Sequence, residues 1–123
     1  MVALNTTQAN WLYDDLNPET NNDKPVYAIQ DDPHNPTIML TIYRAPGNPT
    51  QSCGYVWIRS GQGWIPSSMG EVIIDREPRP SMLFGLVTRF QKHIQETRPH
   101  AIEHEDFWKA IARLQDEALK LNF

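Results

Sequence analysis

Ile38, Leu40 and Ile42, and again Val56 and Ile58, are aliphatic residues at steps of two, and from Leu83 to Leu121 two sets of apolar residues recur at steps of three or four. A period of two marks a strand with two distinct faces, and a period near 3.6 marks a helix with one apolar stripe. The period changes once, with strands first and helices last. A parallel sheet needs helical crossovers between its strands, so this order points to an antiparallel sheet with helices set on it, an α+β chain. With 123 residues there is room for one such domain.

Strand signals fall at Val26 to Gln30, Thr37 to Arg44, Gly54 to Ser60 and Glu71 to Asp75. Trp64-Ile65-Pro66 begins a fourth strand that Pro66 breaks before it resumes near Glu71. The interruptions are Asp31 to Pro36, Ala45 to Ser52 with Pro46, Gly47 and Pro49, and Gly61-Gln62-Gly63. Their proline and glycine content makes them turns, so neighbouring strands pair as hairpins. The expected sheet is a four-stranded antiparallel β-meander.

Leu83, Val87, Phe90 and Ile94, with Leu86 beside them, form the stripe of one helix, opened by Pro80-Ser81 and stopped by Pro99. Phe107, Ile111, Leu114, Ala118 and Leu121 form that of a second. Its first turn holds Glu103, Glu105 and Asp106, where negative charge suits the helix dipole. Glu105 with Lys109, and Asp116 with Lys120, are expected as i,i+4 pairs. The expectation is a C-terminal two-helix hairpin packed on one sheet face. Residues 1–24 form an arm with a short helix (Thr6 or Thr7 as cap; Trp11, Leu12 and Leu16 as apolar side), and residues 25–123 form the domain.

Ile38, Leu40, Ile42, Val56 and Ile58 share one face of the second and third strands and are assigned to the helices. The opposite face then carries Thr41, Tyr43, Tyr55, Trp57 and Arg59.

Eleven bases against fifteen acids leave a net charge of −4, with residues 37–70 at +2 and residues 1–36 at −5. The acid pairs Asp14-Asp15 and Asp31-Asp32 are read as solvent-facing. One cysteine excludes an internal disulfide and suits a reducing compartment. No apolar run approaches the roughly twenty residues of a membrane helix. The first residues lack the basic and apolar regions of a secretory signal, so a cytoplasmic protein is expected.

Among chemical motifs, His100-Ala101-Ile102-Glu103-His104 matches H-x-x-E-H, which on a helix sets two imidazoles around zinc beside a glutamate base. A zinc-dependent hydrolase also needs a third ligand, usually on a separate downstream element, and the chain after His104 is a single helix whose Asp116 and Glu117 lie about 18 Å along its axis at ~1.5 Å per residue. Accidental helix-terminal charge is the preferred reading, with no metal and no cofactor. Cys53 has no base brought to it by sequence, Ser67-Ser68 lacks a nucleophile-elbow pattern, and Ser60-Gly61-Gln62-Gly63 lacks the lysine of a phosphate loop. No catalytic set is complete, so the chain is read as a non-enzyme.

Gly54-Tyr55-Val56-Trp57-Ile58-Arg59 places Tyr55, Trp57 and Arg59 on one face. Rings beside arginine suit single-stranded nucleic acid, but the acidic balance opposes phosphate binding. The same residue types anchor protein interfaces. The expectation is a non-catalytic protein-binding module, an assembly chaperone, adaptor or inhibitor, acting as a homodimer or as a subunit of something larger. Tyr43, Tyr55, Trp57, Arg59 and Trp64 form one contact surface in this reading, and Trp108 with Leu119 on the second helix forms another. The arm, through Trp11 and Leu12, is a candidate cover for one of them.

Overall fold

The structure, a computed structural model, describes residues 25–45 and 47–121, the side chain of Ile102 excepted. The expected arm lies outside the described residues. Strands β1 (Tyr27–Gln30), β2 (Ile38–Ala45), β3 (Asn48–Ser60) and β4 (Gly63–Pro66) run as an antiparallel meander in that order, and β5 (Val72–Ile74) also pairs with β3. Two helices follow, α1 (Ser81–Thr97) and α2 (Glu105–Leu119), with a short 3-10 turn at Ala101–Glu103 between them. The architecture is the α+β class expected, an antiparallel sheet followed by two C-terminal helices.

The fourth strand comes in two pieces. β4 pairs with Trp57 to Ser60 and β5 with Ser52 to Gly54, both on the edge of β3 that β2 leaves free. Pro66 ends the first piece, having no N–H to continue the ladder. The chain then loops out through Ser67 to Gly70, where Gly70 holds a φ of 75° that favours glycine.

β3 begins earlier than its composition predicts. Ala45 pairs with Asn48 and Arg44 with Ser52, so Pro49, Thr50 and Gln51 bulge from a continuing strand where a turn was expected. The Asn48 side-chain oxygen accepts from the Thr50 amide at 3.2 Å and its hydroxyl at 2.8 Å, holding the bulge. The β3–β4 turn is as tight as its glycines imply. Ser60 pairs with Gly63, and Gly61 takes a φ of 60°.

Register places Leu40 opposite both Val56 and Ile29, and Ile38 opposite Ile58. These aliphatic side chains share a cluster with Met82, Leu83, Leu86, Val87 and Phe90 of α1, and with Ile111, Leu114 and Ala118 of α2. The helices therefore cover the aliphatic face. Pro80 presets the first turn of α1, with the Leu83 amide donating to its carbonyl at 3.0 Å. Pro99 follows directly on the Arg98 amide's bond to the Ile94 carbonyl at 2.8 Å, so the helix stops there. Two details differ from the periodicity. Leu121 lies past the end of α2 and is exposed, and Lys120 bonds Glu117 at 2.8 Å in place of the expected Asp116.

The Asp31-Asp32 pair divides its labour. Asp31 is buried, a correction to its solvent-facing assignment, because three donors of the next strand converge on its carboxylate. These are the Thr37 amide at 2.8 Å, the Thr37 hydroxyl and the Ile38 amide at 2.9 Å. Asp32 accepts from the His34 and Asn35 amides at 2.9 and 3.3 Å. Those backbone bonds hold its carboxyl below the ordinary range, with the Arg113 guanidinium of α2, 3.6 Å away, adding to the effect. Stability from Asp32 is thus present above its unfolded pKa and is lost as pH falls through the lowered folded value.

Replacing Asp31→Ala strands two strand amides and a hydroxyl. Urea unfolding is expected to show a loss of about 1–3 kcal/mol, and an unchanged midpoint would refute this account of the β1–β2 connection.

Candidate functional site

The alternation that sends aliphatic groups to the helices sends Met39, Thr41, Tyr43, Cys53, Tyr55, Trp57 and Arg59 to the other face, joined by Trp64 from β4. The expectation was a ring-bearing surface open to a visitor. Trp57 and Trp64 are instead 3% and 0% exposed, and with Met39 they form a second core cluster against which Tyr55 packs. The physical reason is area: two indoles bury more apolar surface than a sheet edge gains by leaving them in water. The Trp57 indole N–H donates to the buried Thr41 hydroxyl at 2.8 Å, so its polar atom is satisfied inside. The Arg59 guanidinium lies 5.3 Å from the centre of the Trp64 ring and bonds the Gly61 carbonyl at 3.0 Å.

Tyr43 and Tyr55 are half-buried, edge to face at 5.8 Å, and Tyr55 continues to Trp57 at 5.6 Å. Burial pushes both phenols well above their ordinary value. For Tyr55 the adjacent carboxylate of Glu71, which accepts its hydroxyl, raises it further. The stack thus grades from closed indoles at the β4 end to half-buried tyrosines at the β5 end, with the Tyr43 hydroxyl itself buried.

Cys53 is buried beside this stack. Burial first, and the Glu71 charge second, push its thiol up, so it stays protonated at neutral pH and is a poor nucleophile. His100 and His104 do not share a helix: Ala101–Glu103 is a 3-10 turn, and His104 is extended at φ −85°, ψ 130° before α2 begins. The i,i+4 pairing that a zinc site requires is therefore absent from this segment. Among the described residues no three metal-ligating side chains gather.

One pairing escaped the sequence reading. Ser68, in the loop between β4 and β5, has its hydroxyl 2.8 Å from Nε2 of His93 on α1. The pair is exposed, and no acid bonds the imidazole among the described residues, so it lacks the orienting third member that nucleophilic catalysis uses. It ties the loop to the helix.

The second expected surface lies on α2. Ala110, Ile111, Leu114 and Ala118 face inward, while Trp108 and Leu119 are 41% and 54% exposed with exposed Ala112 between them. Positions 108, 112 and 119 follow the i, i+4, i+11 spacing of one helix side. Phe107 meets Trp108 edge to face at 5.4 Å.

A third feature was not singled out by sequence: an open groove of about 310 Å³ between β5 and α1, bordered by Arg76, Arg79 and Arg89. Arg76 and Arg79 come from the connection after β5 and Arg89 from α1, with Asp75 and Glu77 interspersed, so no basic run announces them. The one legible signal was Gly85, a glycine inside a strong helical pattern.

As a core residue, Trp57→Ala is expected to cost about 3–5 kcal/mol in denaturant unfolding. A loss below about 1 kcal/mol would return the ring to the surface.

Comparison with protein-family models, curated proteins and solved structures finds no match to this chain.

Proposed function

We propose that this chain is a non-catalytic protein-binding module, of the adaptor, assembly-chaperone or inhibitor kind, and that its contact runs along the outer side of α2. The observation that carries the reading is the pair of large apolar side chains, Trp108 and Leu119, that stay exposed on one side of α2 while Ile111, Leu114 and Ala118 are buried. Large apolar side chains left this exposed mark contact surfaces, and tryptophan is among the residue types most enriched in interface anchors. A second copy of the chain is a natural occupant, because a helix stripe crossing its own symmetry mate buries both sets at once. The lone buried thiol suits a reducing compartment, and the proposal places the module in the cytoplasm.

Support also comes from the state of the chemical candidates. Cys53 is buried and protonated, His100 and His104 are not paired on a helix, and among the described residues no acid joins Ser68–His93. Single-stranded nucleic acid needs open rings for stacking, and Trp57 and Trp64 are covered, so no observation favours that reading.

The test is a double substitution, Trp108→Ala with Leu119→Asp, compared with the parent chain by light scattering and by affinity capture from nuclease-treated lysate. The expected result is a monomer that loses the captured partner, or its own second copy, while circular dichroism keeps the helical signal. An unchanged assembly state together with unchanged capture would overturn the proposal, as would a partner that disappears with nuclease.

A further inference from the structure

The groove between β5 and the N-terminal half of α1 has an aliphatic floor of Val72, Ile74, Met82 and Leu86. Arg76, Arg79 and Arg89 border it, and among the described residues no acidic residue lines it. In a chain of net charge −4 this is a local reversal of sign. Arg79 has a neighbour in Glu77 at 3.6 Å, but that pair is solvent-exposed and holds it weakly. Among the described residues no ion pair engages Arg76 or Arg89. Like charges brought together repel, and the arrangement becomes favourable when an anion enters.

Gly85 borders the same groove, and its presence is the sharper clue. A glycine inside a helix costs about 1 kcal/mol relative to alanine. Its backbone is helical, so no left-handed conformation requires glycine. A Cβ built there meets nothing within 4 Å, so no close packing requires it either. By contrast, a Cβ at Gly54 would lie 3.3 Å from Ile42 and Leu86 carbons, where packing alone explains the residue. Without a side chain at position 85, that side of the groove is open.

The third element is the strand beside it. β5 pairs with β3 along one edge, and no strand among the described residues pairs with its other edge. An unpaired edge next to an apolar groove is the arrangement by which an extended segment is added to a sheet.

We infer that this groove seats an extended acidic segment of a partner polypeptide, lying alongside β5. Its carboxylates meet Arg76, Arg79 and Arg89, and an apolar side chain rests over Gly85 on the aliphatic floor. Guanidinium groups bind carboxylates in paired hydrogen bonds, which selects aspartate and glutamate over neutral amides. The inference rests on the protein-binding reading in that its ligand is a polypeptide, but its surface is separate from the α2 stripe.

The experiment is selection of short randomised peptides displayed on phage against the full chain, followed by anisotropy titration of resynthesised winners. The expected winners alternate Asp or Glu with aliphatic residues. Gly85→Leu is expected to weaken them about tenfold or more, and Arg76→Gln with Arg89→Gln to do the same. Gly85→Leu melts no lower than the parent, because a side chain in open space improves the helix, so lost binding is not lost folding. The Trp108→Ala/Leu119→Asp variant keeps peptide affinity, which separates failure here from failure of the stripe. Winners without acidic bias, winners that bind Gly85→Leu equally well, or no saturable winner would each overturn the inference. So would an oligothymidylate that competes at equal concentration, since it would reassign the arginines to phosphate.

Discussion

The alternation of β3 is the constraint on which the remaining structure depends. Ser52 to Ile58 of this strand pair with β2 on one edge, and on the other Ser52 to Gly54 pair with β5 and Trp57 to Ser60 with β4. Each side chain on it therefore lies in a full layer, and a slip of one residue exchanges the layers wholesale. Slippage would push Tyr55 and Trp57 under α1, where Leu86 already approaches the Gly54 position to van der Waals distance. It would also lift Val56 out of contact with Leu40. Helices fit over small and aliphatic groups, rings fit on the far side, and one register serves both.

The far side is then not a spare surface. Trp57 and Trp64 complete a second, smaller core whose polar atoms and charges are arranged around it: Thr41 under one indole, Arg59 over the other, Glu71 at the Tyr55 hydroxyl. The interruption of the fourth strand contributes here as well. By looping out after Pro66 the chain brings Ser68 to His93, sets Glu71 beside Tyr55 and starts β5 as a separate short edge.

Much of this was legible because the periods are strong. The Ile38-Leu40-Ile42 and Leu83-Val87-Phe90 patterns admit one arrangement each, and Pro66, Pro80 and Pro99 mark boundaries by chemistry that context does not override. What was not legible depended on partners distant in sequence. Pro49-Thr50-Gln51 reads as a turn, and only pairing with β2 reveals it as a bulge within β3. Asp31 reads as half of an exposed acid pair, and only the returning Thr37 and Ile38 show why it is buried. Composition names rings that favour burial and contact alike, so it cannot say whether Trp57 faces a partner or a core. The arginine-bordered groove is lined by residues of one stretch, Val72 to Arg89, but its arginines are irregularly spaced among acids, and only the packing of β5 beside α1 sets them around one opening.

Gly54 has a consequence of its own. Its bare Cα lets Ile42 and Leu86 carbons come to 3.3 Å of where a methyl would stand. That absent methyl is the shim that sets how high α1 rides above the sheet. In natural variants of this chain, a larger residue at position 54 should travel with a smaller one at position 86, since the same gap must hold both. Where the two drift apart, the helix tilts, and everything hung from its outer half shifts by the same few tenths of an ångström.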